Sequence, residues 1–168
     1  MVYETSKFDN LLKPVNVYIL RGIPASGKST WAKEMVRKGK GKVKRVNRDD
    51  LRSMIDDSVF SRKSESHINA LRNIVISYYI EAGCDVIVDD TNVKTSYVKD
   101  LVEYVERLRP NANVVVKLFN TPLDVCLERN AKRTGRAKVP EDIVRKFYKS
   151  LTDSLSNESG EEFGCVTD

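Results

Sequence analysis

Histidine is almost missing from the 168 residues, with His67 the single copy, and cysteine occurs only at Cys84, Cys126 and Cys165. So few ligands, without metal-site or redox spacing, exclude a conventional zinc site and a dithiol redox centre. Free thiols in a reducing cytoplasm fit best. No run approaches the roughly 20 apolar residues that cross a bilayer, and the N-terminus lacks a charged start followed by an apolar stretch. A cytoplasmic protein with no membrane partner is therefore expected. Internal repeats and low-complexity tracts are missing too. The length suits one domain with one substantial core. A formal net charge of +5 leans towards a polyanionic partner, but many soluble proteins carry such a surplus.

Short apolar runs alternate with helical patterns. Val17 to Leu20, Val43 to Val46, Val86 to Val88 and Val114 to Phe119 read as strands. Helices are predicted from about Lys28, Asp49, Thr95, Leu123 and Pro140, and an amphipathic one over 64–82 carries Ile68, Leu71, Ile74, Val75, Tyr78 and Tyr79 before stopping at Gly83. The final helix should pack Ile143, Phe147 and Leu151. Strand and helix in alternation imply crossover connections, hence an α/β fold with a central parallel sheet of about four strands and helices on both faces. Residues 1–14 read as an N-terminal arm, 15–155 as the working domain and 156–168 as a flexible acidic tail.

The strongest signal is Gly22-Ile23-Pro24-Ala25-Ser26-Gly27-Lys28-Ser29, which matches G-x-x-x-x-G-K-[ST] between a predicted strand and a predicted helix. Its glycines let backbone N–H groups and the positive end of the following helix face a phosphate. Ala25, Ser26, Gly27 and Thr30 complete the cradle, Lys28 would reach the β- and γ-phosphates, and Ser29 would ligate Mg²⁺. A chance match in a chain this long is on the order of one in a hundred. Trp31 reads as core packing.

The second strand ends in Asn47-Arg48-Asp49-Asp50-Leu51-Arg52, at the sheet edge where open α/β folds bind ligands. On a helix starting near Asn47, Asp49 and Arg52 share a face, pairing a proton acceptor with a phosphate-binding cation. The alternative is that Asn47, Asp49 or Asp50 merely caps the helix and Arg52 forms a surface ion pair. Asp49 is favoured as base and Asp50 as cap or solvent-facing residue. The third strand ends in Asp89-Asp90-Thr91-Asn92, like the Walker B acid that organises Mg²⁺ or its waters. Alternation sends Asp89 and Asp90 to opposite faces, so one of the two should reach the site. The competing reading is a polar turn with Asn92 capping the next helix. Arg129, Arg133 and Arg136 fall on one side of a predicted helix that runs into a loop broken at Gly135, with Lys132 and Lys138 nearby. Such a segment can fold over phosphates as a lid.

Together, Gly22 to Trp31, Asn47 to Asp50 with Arg52, Asp90-Thr91-Asn92 and Arg129-Asn130 through Arg133 to Val139-Pro140 resemble the kinase domain of bacteriophage-type polynucleotide 5'-kinases, from Val17 to about Leu155. The resemblance implies a P-loop kinase using ATP, or another nucleoside triphosphate, with Mg²⁺ to phosphorylate the 5'-hydroxyl end of DNA or RNA in nucleic-acid repair. It implies Asp49 as general base, Lys28, Arg52 and Arg133 in catalysis, and Arg129 with Arg133 on the nucleotide. Arg48, Arg52, Asp90, Thr91 and Val139 would contact the acceptor, and Asp49 or Asp89 would join Ser29 at the metal through water. The alternative is a kinase of a small molecule or nucleotide sugar. The D-x-D-G-T phosphatase motif of two-domain relatives does not occur, so no 3'-phosphatase activity is expected, and the lid loop Thr134 to Ala137 is about one residue longer than the family pattern.

Overall fold

The computed structural model describes residues 14–158. Within them four strands form one parallel sheet: β1 (Asn16–Arg21), β2 (Val43–Val46), β3 (Asp85–Val88) and β4 (Asn113–Leu118), in the order β2-β3-β1-β4. Between and after them run α1 (Lys28–Lys38), α2 (Arg48–Asp56), α3 (Arg62–Glu81), α4 (Thr95–Leu108), α5 (Leu123–Ala131) and α6 (Glu141–Asn157), with a 3₁₀ turn at Gly135–Ala137. Every strand return is a helical crossover, as parallel pairing demands.

Alternation along β1 divides the core. Val17 and Ile19 point to the face where Ile76 and Ile80 of α3 and Val98, Leu101 and Val105 of α4 pack, with Val86 and Val88 beside them. Leu20 and Ile87 point the other way, towards Ala32, Trp31 and Met35 of α1. Trp31 stacks edge-on with Tyr18 and Phe119 at centroid distances of 5.6 and 6.2 Å, the packing role expected of it. A third cluster at the end of the sheet joins Ile23, Val93 and Leu118 to Cys126, Val144 and Leu151.

Some expected faces shift. In α3 the fully buried residues are Ile68, Ile76 and Ile80, while Ile74 and Tyr78 stay exposed, because one stripe of a helix this long meets the sheet. In α6 Val144 is fully buried and Ile143 only half-buried. That helix also runs past 155 to Asn157, and Glu158 follows with its carboxylate 2.6 Å from Arg21. Cys165, the arm as far as residue 13 and the tail from 159 lie outside the described residues.

Register sets the site. Val46 pairs with Val88, and Ile19 pairs with both Val88 and Val116. The loops leaving β1, β2 and β3 therefore emerge side by side at the carboxyl edge, where α/β sheets take ligands.

Candidate active site

The turn after β1 is built from backbone that side chains tolerate poorly. Gly22 sits at φ 153° and Gly27 at φ 103°, and Ala25, though not glycine, is held at φ 66°. A Cβ on Gly22 would meet Ser26 Oγ at 2.9 Å and the Phe119 carbonyl oxygen at 3.0 Å, so only glycine fits there. Gly22 N donates to the Thr91 carbonyl (2.9 Å) and Thr121 Oγ1 to the Ser26 carbonyl (2.9 Å), which ties the loop to the ends of β3 and β4. Lys28 opens α1 yet is 6% exposed, and its Nζ donates to the carbonyls of Gly22 and Ile23 at 2.8 Å each. Burial drives its pKa down to about 8, opposed by Asp89, Cys126 and Asp90 and reinforced by Arg133. Ser29 and Thr30 follow Lys28 in the first turn, both exposed.

Asp89 and Asp90 just beyond β3 face opposite sides, with different partners. Asp89 Oδ2 accepts from Arg45 Nε at 2.7 Å, and the Ser29 hydroxyl lies beside its carboxylate. Its Oδ1 is buried with no hydrogen-bond partner. Burial raises the Asp89 pKa, against the pull of Arg45, Ser29 and Lys28. Asp90 turns to the other side: Oδ1 accepts from the Arg48 N–H and Oδ2 from Arg48 Nε, both at 2.9 Å, and Arg72 Nη1 lies 3.3 Å from Oδ2.

Asn47 caps α2 by accepting from the Asp50 N–H at 3.0 Å, and its amide donates to the Asp89 carbonyl. That removes the capping role from Asp49 and Asp50. Asp50 pairs with Arg45 instead, and Asp49 Oδ1 accepts from Arg52 Nη1 at 2.6 Å, as the three-residue spacing predicts. Arg52 also donates to Glu65 Oε1 at 2.6 Å. The Asp49 side chain is 84% exposed, and its Oδ2 has no partner among the described residues.

The burial of these charges is lopsided. Lys28, Arg45, Arg48, Arg52 and Arg72 are all sheltered, the most open being Arg48 at 23%, whereas only Asp89, Asp90 and Glu65 are comparably buried among their acids. Asp49 and Asp50, 84% and 65% exposed, supply the remaining negative charge from water. Counted together, five cations meet five acids and the cluster is neutral, its cations sheltered and two of their acids, Asp49 and Asp50, at the edge of water.

The basic segment expected to act as a lid departs from its predicted form. α5 ends at Ala131, so of the three arginines only Arg129 lies on the helix. The cause is Asn130, buried and clipped to the backbone of Val139 by two hydrogen bonds of 2.7 and 3.1 Å, which draw the chain out of helical register. Arg133 lies in the loop with Nη1 3.3 Å from the Ala137 carbonyl, and Arg136 in the 3₁₀ turn pairs with Asp57 at 2.8 Å. A cavity of about 370 Å³ opens beside Val139, lined also by Leu127, Asn130 and Lys138.

Sequence reasoning missed Arg45, Glu65, Arg72 and Arg21. Arg21 is fully buried and binds Glu158 at 2.6 Å and the Val93 carbonyl at 3.2 Å, anchoring the end of β1 immediately before Gly22. Their partners are distant in sequence, so no local pattern signals them. Asn92, by contrast, does not cap α4; its buried amide donates to the Leu20 carbonyl at 2.8 Å. Thr91 meets the loop through its backbone carbonyl. Among the described residues no three His, Cys, Asp or Glu side chains gather as a metal cluster, and no helix is long and apolar enough to cross a membrane.

Residues 17–156 match a family model described as an AAA domain. The chain is 31% identical over 138 residues to the L-seryl-tRNA(Sec) kinase of Methanococcus maripaludis, covering 79% of this chain and 51% of that protein. It is 30% identical over 151 residues to a protein of Autographa californica nuclear polyhedrosis virus provisionally named a bifunctional polynucleotide kinase/RNA ligase, covering 79% of this chain and 20% of that one. It thus spans about half of the first relative and a fifth of the second. Among solved structures, one of the Pnkp1/Rnl/Hen1 RNA repair complex superimposes with a TM-score of 0.75 at 29% identity, covering 84% of this chain and 45% of that one. The APS kinase CysC of Mycobacterium tuberculosis, with AMPPNP and APS, gives 0.59 at 21% identity over 71% of each chain, a likeness of fold.

Proposed function

The chain belongs to the AAA-domain family and is a P-loop kinase, and from that premise we propose that it transfers the γ-phosphate of ATP to the 5'-hydroxyl end of DNA or RNA. The observation that carries this reading is the open acceptor side: Asp49, 84% exposed and 2.6 Å from Arg52, heads a helix at the same sheet edge as the Gly22–Ser29 turn. A hydroxyl at the end of a long polymer can reach such a carboxylate, whereas a small acceptor needs enclosing walls. The polynucleotide kinase relative and the RNA repair complex support the same acceptor class.

In this proposal the turn's N–H groups and the start of α1 hold the phosphates. Lys28 swings from the Gly22 and Ile23 carbonyls onto them. Arg133, whose charge Lys28 already feels, lies over the transferring group with Arg129 on the nucleotide, and both exclude water from it. Asp49 accepts the hydroxyl proton through its open Oδ2 while Arg52 holds the carboxylate in place. Arg48, set by Asp90, and Arg52 face the acceptor's phosphate, with Thr91 and Val139 on its terminal nucleotide. The donor set fits Mg²⁺: an exposed serine hydroxyl stands beside a carboxylate whose buried Oδ1 lacks a partner, and Mg²⁺ takes few protein ligands and keeps its waters. Bound there, the ion would neutralise phosphate charge.

The test is transfer of label from γ-labelled ATP to 5'-hydroxyl DNA and RNA oligonucleotides, beside small alcohols and nucleotides. Labelled oligonucleotide 5' ends are expected; label on small acceptors alone would overturn the reading. The seryl-tRNA kinase relative favours a second one, a hydroxyl on a group esterified to RNA. An aminoacylated tRNA in the same assay separates the two.

A further inference from the structure

Four large apolar side chains stand in water at the corner joining α2 to α3: Met54, Ile55, Val59 and Phe60, between 52% and 72% exposed. The corner passes through two successive non-glycine residues at positive φ, Asp57 at 46° and Ser58 at 65°. Phe60 does not drift alone. The Arg52 guanidinium lies 5.8 Å from the centroid of its ring, and Arg52 is bonded in turn to Asp49 and Glu65. The ring, 68% exposed, is therefore tethered to the acceptor cluster while most of its surface stays open.

We propose that this corner is a stacking platform for the unpaired bases of a single-stranded nucleic-acid acceptor, with Phe60 as its principal ring. The proposal rests on the polynucleotide reading and names the part of the acceptor which that reading leaves without a seat. Two neighbouring features select the occupant. The corner is apolar, and the cluster it borders through Arg52 holds four sheltered guanidiniums, two of which, Arg45 and Arg52, are paired with acids open to water that a phosphate can displace. A single strand offers both complements, π-faces for the ring and phosphates for the cations. A second copy of the chain would bring another net charge of +5 to the contact, so like charges would meet. A duplex keeps its base faces inside its own stack and has none to give.

The experiment uses the full chain and three variants, Phe60→Ala, Phe60→Tyr and Phe60→Trp. The exposed position tolerates all three without loss of core packing. Phe60→Trp adds an indole to a chain whose one tryptophan is Trp31. Without ATP, a 5'-hydroxyl single-stranded oligodeoxynucleotide should quench the new indole, and an abasic strand of equal charge should not. In transfer assays Phe60→Ala should raise KM for the oligonucleotide by about tenfold, as loss of one base–aromatic stack implies, with kcat changing far less and Phe60→Tyr restoring KM. Equal quenching by the abasic strand, an unchanged KM in Phe60→Ala, or a tyrosine no better than alanine would overturn the platform. So would sedimentation showing a wild-type dimer that Phe60→Ala dissociates, since the occupant would then be a second copy. If no polynucleotide is phosphorylated at all, the kinase reading falls, and the quenching comparison still decides the platform by itself.

Discussion

The turn after β1 and the ion-pair relay beside it, the proposed donor and acceptor sides of the cleft, are made of different material. The donor side is backbone: glycines at 22 and 27, N–H groups at the start of α1, and one buried lysine folded onto loop carbonyls. The acceptor side is side chain: Asp49, Arg52, Glu65, Arg48, Asp90 and Arg72 hold one another in a relay of ion pairs from water to the sheet edge. Backbone geometry is fixed by the fold and tolerates no replacement at Gly22. A side-chain relay can be retuned one residue at a time. A fold built this way can keep its donor while its acceptor varies.

The sharpest way to break the contrast is Lys28→Ala. Lys28 is the cation that the turn's own carbonyls hold in place, and without it transfer from γ-labelled ATP should fall on the order of 10³-fold. A loss below tenfold would mean that the backbone nest suffices without its lysine. Asp49→Asn comes next, with an expected fall in kcat of about 10²-fold, the low end for general-base catalysis. Phosphoryl transfer has a loose transition state that asks little of the nucleophile, which sets that modest size. Nucleotide affinity, read by calorimetry, should survive this change. An unaltered kcat would remove Asp49 from the reaction and leave it a surface partner of Arg52.

The two sides were also unequally legible. The donor side was readable because its requirements are local: a glycine for positive φ, then lysine and serine at the head of a helix, following an apolar strand. The sheet was readable for the same reason, since buried parallel strands show as short apolar runs. On the acceptor side the spacing of Asp49 and Arg52 predicted their pairing. Arg45, Glu65 and Arg72 had no local signature, because Arg45 meets Asp89 from 44 positions away and Arg72 meets Asp90 from 18. The lid was misread in the opposite sense. Its basic residues continue a helical pattern, but the Asn130 amide competes for the Val139 backbone and ends the helix at Ala131.

Arg72→Gln tests whether the relay acts as a unit. Asp90 would keep Arg48 and lose its second guanidinium, leaving the Arg48 side chain less firmly set. The acceptor KM should rise by about tenfold, the equivalent of roughly 1.4 kcal/mol, while the nucleotide KM changes little. Arg72→Lys, retaining the charge, should recover part of the loss. Equal changes in both KM values would show that the two sides are not separable.

The smallest effect concerns a single proton on the donor side. Lys28 has its pKa lowered to about 8, first by burial, from the 10.5 of a free lysine. The unfolded chain therefore holds this proton more tightly than the folded one, so the free protein gains stability as pH rises between these two values. A bound triphosphate reverses the preference, because its anionic oxygens favour the charged ammonium. At pH 8.5 nucleotide binding should take up about three quarters of a proton, which calorimetry in buffers of different ionisation heat would read. Nucleotide affinity should decline gradually above pH 8, by about tenfold per unit at most. Phe60 and Arg72 variants, altered only on the acceptor side, should show the same uptake as the wild-type chain. A buffer-independent heat would place the ammonium's charge outside the phosphate site, and the donor side would then be backbone alone.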